Sequence, residues 1–143
     1  RLLPLWQAIG GFYPSLYLAQ HTDAPWDRTF DMTMDKIAEA LIECNRLQRL
    51  VAGVSDGPPP AILPFTWYRY HPGTAGAYGG KLINGHDAWL EFDFPFNTVS
   101  GANTSGVVVW GYEPTSTDMA SAEQWFTANA AYFVDALPPS PPS

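Results

Sequence analysis

Apolar residues along the chain follow two rhythms. Dense runs of aromatic and aliphatic residues alternate with longer stretches where apolar positions recur every three or four residues. The first dense run, Phe12-Tyr-Pro-Ser-Leu-Tyr-Leu-Ala19, follows the breaker Gly10-Gly11 and reads as a buried strand. Pro14 places it at a strand start or a sheet edge. Residues 20–30 are polar and loop-like. From Asp31 to Val51 the rhythm turns helical, with Met34, Ile37, Ala38, Leu41, Cys44 and Val51 on one stripe. Asp31 suits the N-cap, Asp35 the first turn, and Arg46 and Arg49 the C-terminal end. Gly53 and Gly57-Pro-Pro-Pro60 end this helix.

Ala61-Ile-Leu-Pro-Phe-Thr-Trp-Tyr-Arg-Tyr70 is the second expected strand. A glycine-rich loop follows, with Gly73, Gly76, Gly79, Gly80 and Gly85; loops longer than a minimal connection often carry function. Residues 87–96 are expected to be irregular or only briefly helical, because Pro95 would interrupt a helix interior. Gly106-Val-Val-Val-Trp-Gly111 is the third strand, apolar on both faces as parallel strands are. Residues 115–137 form the second long helix. Met119, Ala122, Phe126, Ala130, Phe133 and Leu137 keep its period, and Thr115-x-x-Asp118 resembles a capping box.

Strands near residues 12, 61 and 106, each followed by crossover material, predict a parallel α/β arrangement. Three parallel strands alone would leave two apolar edges open. The pattern therefore favours a section of a larger TIM-like (β/α) barrel over a complete three-stranded domain. Residues 1–137 are assigned to this partial barrel. The tail Pro138-Pro-Ser-Pro-Pro-Ser143 has the composition of a solvated, semi-rigid linker or stalk stub.

Composition narrows the partners. Of 143 residues, 46% are apolar, which is enough for a core. No apolar run approaches the roughly 18 residues of a membrane-spanning helix. Seven Lys and Arg against 14 Asp and Glu give a net charge of −7. Nucleic acid, which needs clustered cations, is excluded as a partner on this ground. A polyanionic partner is disfavoured unless a local site outweighs the global charge. Cys44 is the one cysteine, so it either packs as a small hydrophobe or pairs outside this chain. His21, His71 and His86 are far apart, no metal-ligand spacing is present, and no cofactor motif is found. Asn103-Thr-Ser105 is a glycosylation sequon, which in a secreted protein lies on the surface.

Four motifs stand in a telling order: Leu5-Trp6, Phe12-Tyr-Pro-Ser-Leu-Tyr17, Ile62-Leu-Pro-Phe65 and Ser105-Gly-Val-Val-Val-Trp-Gly111. In this order and spacing the chain resembles the last three strand–helix units of the hyaluronidase-type glycosidases, over residues 2–137. The resemblance implies a distorted barrel and a retaining mechanism in which the substrate's own acetamido group attacks while a glutamic acid protonates the leaving oxygen. The family's Asp-x-Glu pair lies on an earlier strand that this chain does not contain. Glu91-Phe-Asp93 has the opposite order and reads as part of a solvated connection, so it is not assigned the role. The resemblance implies that Tyr17 holds the acetamido group and that Trp110 walls the sugar pocket. Phe65 stands where the family has a tyrosine, and His71 stands where relatives carry an acidic residue. The family's cysteine after the last strand has no counterpart here. Plain core packing remains an alternative for Tyr17 and Trp110, and an exposed loop position for His71.

Two functions remain open. One is part of a glycosidase acting on an amino-sugar polysaccharide, completed by barrel polypeptide outside residues 1–143. The other is a non-catalytic structural or carbohydrate-binding module in a secreted extracellular glycoprotein assembly. The Pro-Pro-Ser tail supports the second, since it resembles hydroxyproline-rich wall and matrix proteins.

Overall fold

The computed structural model describes residues 2–22, 28–73, 75–99, 104–111 and 115–131. The sequon residue Asn103 and the Pro/Ser tail lie outside them. The order of elements is α1 (Leu3–Ala8), β1 (Gly11–Phe12), α2 (Arg28–Ala52), β2 (Ala61–Ile62), β3 (Phe65–Thr66), α3 (Gly85–Phe92), α4 (Phe94–Asn97), β4 (Val108–Val109) and α5 (Ser116–Ala128). A single 3-10 turn, Gly76–Tyr78, sits inside the glycine-rich loop.

Among the described residues the paired strands run parallel, and one isolated antiparallel bridge joins Arg69 to Leu82. Gly11 faces Ala61 and Phe12 faces Ile62, a bridge joins Ser15 to Phe65, and Phe65 and Thr66 face Val108 and Val109. β2 and β3 are thus two pieces of one central strand. On one side Leu63 and Phe65 donate to the carbonyls of Phe12 and Pro14, both at 2.9 Å. On the other side Ser105, Val108 and Trp110 donate to Ile62, Pro64 and Thr66, at 2.8, 2.8 and 2.9 Å. The regular strands are shorter than the expected runs of 12–19, 61–70 and 106–111. Pro14 and Pro64 explain part of this, because each accepts through its carbonyl but has no N–H to continue the ladder.

α2 starts at Arg28, so Asp31 falls in its first turn and not at its cap. Its buried positions are Phe30, Ile37, Leu41, Asn45, Gln48 and Val51, a stripe that continues through two amides. Gln48 can be buried because its Nε2 donates to the Pro60 carbonyl at 2.8 Å. Phe30, Ile37 and Leu41 of this stripe pack with Phe12, Leu16, Ile62, Leu90 and Phe94 in one core cluster, against which Cys44 is half-buried. A second cluster joins Leu18, Trp67, Tyr68, Tyr70, Phe92 and Trp125.

Residues 87–96 are more regular than expected. Asn84 caps α3 by accepting the Asp87 N–H at 2.8 Å, and the chain turns at Asp93. Pro95 sits in the first turn of the new helix α4, where a missing N–H costs nothing. The same holds for Pro4 in α1, a helix that the sequence pattern did not suggest. α5 is capped by Thr115 as expected, its hydroxyl accepting the Asp118 N–H, but it ends at Ala128, and its expected stripe is buried only in part, with Ala122 buried and Phe126 packed against the second cluster. Met119 is 61% exposed while Ala122 and Trp125 are buried, because the Trp125 Nε1 reaches the Ile83 carbonyl at 2.8 Å. Phe133 and Leu137 lie outside the described residues.

One buried carboxylate ties these parts together. Asp87, fully buried, accepts from the Thr22 N–H at 3.2 Å, from the Thr22 hydroxyl and from the Tyr70 hydroxyl. It thus joins the segment after β1, the segment after β3 and α3. Replacing Asp87 by Ala leaves a buried threonine hydroxyl and a buried phenol without their acceptor. Urea denaturation is expected to show a loss of roughly 2–4 kcal/mol, whereas an unchanged midpoint would mean that Asp87 is not a structural tie.

Candidate functional site

Parallel strands aligned by this register bring their C-terminal ends to one place, the end at which barrel enzymes build their sites. Tyr17 stands two residues beyond the Ser15 bridge, Trp67 one residue beyond β3, and Trp110 one residue beyond β4. The three rings meet. Centroids of Tyr17 and Trp110 are 6.3 Å apart with planes at 32°. Trp67 stands edge-on to both, at 6.4 Å from Tyr17 and 5.2 Å from Trp110. Together with His71 and Pro72 they line an open cleft of about 280 Å³.

Each ring is held differently. Trp67 is buried, only 9% exposed, in the second core cluster. Trp110 is 50% exposed, so it is a surface of the cleft and not a core aromatic. Gly111 lets it sit there, because a Cβ at that position would come within 2.7 Å of the buried Tyr68 hydroxyl. Tyr17 is half-buried, and burial pushes its hydroxyl above the usual phenol range, with the Glu91 carboxyl adding to the effect.

The glycine-rich loop delivers His71 and Pro72 to the cleft. It closes on itself through Tyr70 N–H to the Lys81 carbonyl at 3.0 Å and Gly80 N–H to the Tyr70 carbonyl at 2.9 Å. Gly79 permits the closure, since a Cβ there would approach the Pro72 carbonyl oxygen to 2.8 Å. The His71 backbone N–H donates to the Leu18 carbonyl at 3.0 Å, and its ring Nδ1 accepts the Gly73 N–H at 3.2 Å. Of the four expected sugar-contacting residues, Tyr17, His71 and Trp110 therefore come together. Phe65 does not join them. Its ring lies against Tyr13 at 5.6 Å, on the strand segment before the cleft.

Sequence reasoning missed two residues at this site. Trp67 was one aromatic among many in an expected strand. Glu91, assigned to a solvated connection, is fully buried. Its Oε1 accepts the Trp67 N–H at 2.7 Å, while Oε2 has no hydrogen-bond partner. Thr66 Oγ1 and Trp67 Nε1 are also buried without partners. Asp93 is turned elsewhere and accepts from the Asn97 amide at 2.9 Å, so Glu91 and Asp93 do not form an acid pair. Among the described residues, no group of three His, Cys, Asp or Glu side chains converges as metal ligands would. Burial also raises the Cys44 thiol pKa, which makes it a weaker nucleophile.

Burial holds the Glu91 carboxyl far above the usual carboxylate range, so it keeps its proton in the folded protein. The unfolded chain releases that proton near pH 4.3. Between that pH and the raised folded value the native state binds more protons than the unfolded state, so stability falls as pH rises. Glu91→Gln, neutral at every pH, is expected to raise the melting temperature at neutral pH, with the gain shrinking toward acid pH. An equal loss at both pH values would show that the protonated carboxyl itself is required.

Comparison with profiles of known protein families gives no match, and neither does comparison with the sequences of curated proteins. Solved structures do match. A monoclinic crystal structure of bee venom hyaluronidase superposes with a TM-score of 0.65 at 15% identity, covering 90% of this chain and 36% of that one. The same enzyme in complex with a hyaluronic acid tetramer gives 0.69 at 16% identity, covering 95% and 38%. The chain thus spans a little over a third of that protein's length, and over that span it has a hyaluronidase-like α/β fold.

Proposed function

We propose that the chain is the sugar-binding C-terminal section of a hyaluronidase-like glycosidase domain, acting on an amino-sugar polysaccharide. One observation carries this reading: Tyr17, Trp67 and Trp110, from three different strands, converge on one cleft at the C-terminal ends of a parallel sheet. Pyranose rings present C–H faces that pack on aromatic planes, and a phenol donates to an amide or hydroxyl oxygen. In this reading Tyr17 orients the acetamido group and Trp110 walls the pocket. The carboxylic acids that protonate the leaving group and orient the acetamido group lie outside residues 1–143. No cofactor takes part.

A second reading is favoured by the lining of the cleft, which among the described residues contains no carboxylate. It is a non-catalytic sugar-binding or structural module of a secreted glycoprotein, with Asn103 glycosylated and the tail prolines hydroxylated. Turnover of an amino-sugar polymer by the full-length protein separates the two: hydrolysis supports the first, and binding without hydrolysis supports the second. Intact-mass analysis adds to this, since unmodified prolines and an unmodified Asn103 count against the glycoprotein reading.

Both readings expect polypeptide outside residues 1–143 to complete the sheet. β4 is an edge strand among the described residues, with Val109 38% exposed. Leu2, Leu5, Ile42, Leu50 and Val54 are about half exposed around α1 and α2. At about 25 cal/mol per Å², such uncovered surface forfeits several kcal/mol from a typical 5–15 kcal/mol of stability. Residues 1–143 produced alone are expected to aggregate or to lack fixed packing. A monodisperse monomer with a cooperative melt would refute the partial-barrel reading.

Because Trp110 is half exposed, Trp110→Ala is expected to keep the fold. It should weaken binding of an amino-sugar oligomer by tenfold or more, the equivalent of about 1.5 kcal/mol of lost ring contact. Isothermal titration of the full-length variant, with its melting curve as a fold control, checks this. Unchanged affinity would reduce Trp110 to packing.

A further inference from the structure

We propose that Glu91 is a positioning residue for the cleft: its side chain takes the place of the strand partner that Trp67 lacks and holds two strand ends apart, so that Tyr17 and Trp67 present their rings to the cleft and not to each other. The proposal deepens the reading of the cleft as a sugar site, and its consequence for binding rests on that reading.

The first ground is a break in the ladder. Leu63 and Phe65 donate to the carbonyls of Phe12 and Pro14, and Leu16 donates back to Phe65, all at 2.9 Å. The repeat of two makes Trp67 the next donor and the Leu16 carbonyl its acceptor. Trp67 donates instead to the Glu91 Oε1 at 2.7 Å. The two segments meet again where the His71 N–H reaches the Leu18 carbonyl at 3.0 Å. From Phe65 to His71 is six residues, while from Pro14 to Leu18 is four, so one segment bows away from the other. Tyr17 and Trp67 both stand within that bow, and the Glu91 carboxyl enters it at Trp67.

The second ground is how the rings then meet. In a continued ladder Tyr17 and Trp67 would be paired neighbours on strands about 4.8 Å apart, with both side chains on one face. They stand instead with centroids 6.4 Å apart and planes at 62°, which leaves Trp67 edge-on to Trp110 at 5.2 Å. The depth of the carboxyl is set by α3. One turn earlier, Asp87 accepts from Thr22 and from Tyr70, so the helix that carries Glu91 is pinned to both parted segments. Asp87 has both of its oxygens bonded, as a structural tie does. Glu91 leaves its Oε2 unmatched, and an unmatched buried polar atom costs stability. The placement of Trp67 accounts for that cost.

The test uses the full-length protein, and its first measurement needs no variant. Amide hydrogen exchange resolved to single residues should find the Trp67 N–H protected to within about tenfold of Leu63 and Phe65; exchange faster than that would overturn the proposal. Glu91→Gln keeps an acceptor at the same reach. It should keep the Trp67 protection, the near-ultraviolet circular dichroism of the facing indoles, and the affinity for an N-acetylglucosamine tetramer and a hyaluronic acid tetramer. Glu91→Leu is similar in size but has no acceptor. Well below its melting temperature it should lose Trp67 protection by about tenfold or more, change the indole signal, and weaken by about tenfold whichever tetramer binds. Rescue by Gln but not by Leu separates placement of the rings from filling of the core. A folded Glu91→Leu variant with unchanged Trp67 exchange, or with unchanged affinity, would overturn the proposal. Binding of neither tetramer by the unmodified protein would remove the sugar-site reading, and exchange and the indole signal would still decide whether Glu91 sets the rings. If Glu91→Leu does not fold, loss of Trp67 protection in the folded Glu91→Gln variant overturns the proposal and its retention supports it.

Discussion

The central strand, hydrogen-bonded on both sides, is the constraint from which the cleft follows. Leu63 and Phe65 donate to one neighbour, and the carbonyls of Ile62, Pro64 and Thr66 accept from the other. A one-residue slip on either side would turn every side chain of that neighbour to the opposite face. Tyr17 or Trp110 would then leave the cleft altogether. The alignment of three rings from distant parts of the chain is thus a matter of backbone register first and of aromatic attraction second. The prolines at 14 and 64 shorten the ladder without shifting it, because their carbonyls still accept from Phe65 and Val108.

α3 then sets two buried carboxyls against this frame, with opposite outcomes. Asp87 gathers three donors and serves as a fixed anchor. Four residues later on the same helix face, Glu91 gathers one donor and leaves an oxygen unmatched. Burial raises the pKa of the Glu91 carboxyl, and its single donor only partly offsets that effect. The tie at Asp87 is therefore structural. The carboxyl at Glu91 sits behind the one tryptophan whose backbone it grips.

Parallel order and the helix α2 were legible in the sequence because both leave a local trace: dense runs between breakers, and a three-to-four spacing that holds from Ile37 to Val51. The helix ends were less so. Pro95 looked like an interruption, yet a proline in a first turn begins a helix as easily as one in the interior stops it. Met119 fits the apolar period of α5 and is exposed, while Trp125, three residues after Ala122, is absent from the expected stripe and is buried. Trp125 is buried because its indole N–H finds a carbonyl 42 residues away in sequence, a fact that no periodicity encodes. Glu91 was hidden for the same kind of reason. Its partner is a backbone N–H, which every residue but proline has, so nothing in the side-chain pattern marks it. Trp67 could have been found by counting from the strand ends, where it falls level with Tyr17 and Trp110.

The wholly parallel order of the sheet also has a consequence in time. Gly11 pairs with Ala61 and Phe65 with Val108, so no two neighbouring strands are joined by a short turn. Each pairing must wait for a long crossover segment to close, and the entropy of that closure is lost before any contact is gained. α2, whose helical backbone hydrogen bonds are local, can form early. The strands cannot, and chains dominated by distant parallel pairings fold slowly. During that interval the Val-Val-Val run at 107–109 and the aromatic run at 65–70 are unpaired and apolar. Newly made chains are therefore most vulnerable to one another at the very segments that later form the cleft, and the speed of crossover closure governs how much protein survives to fold.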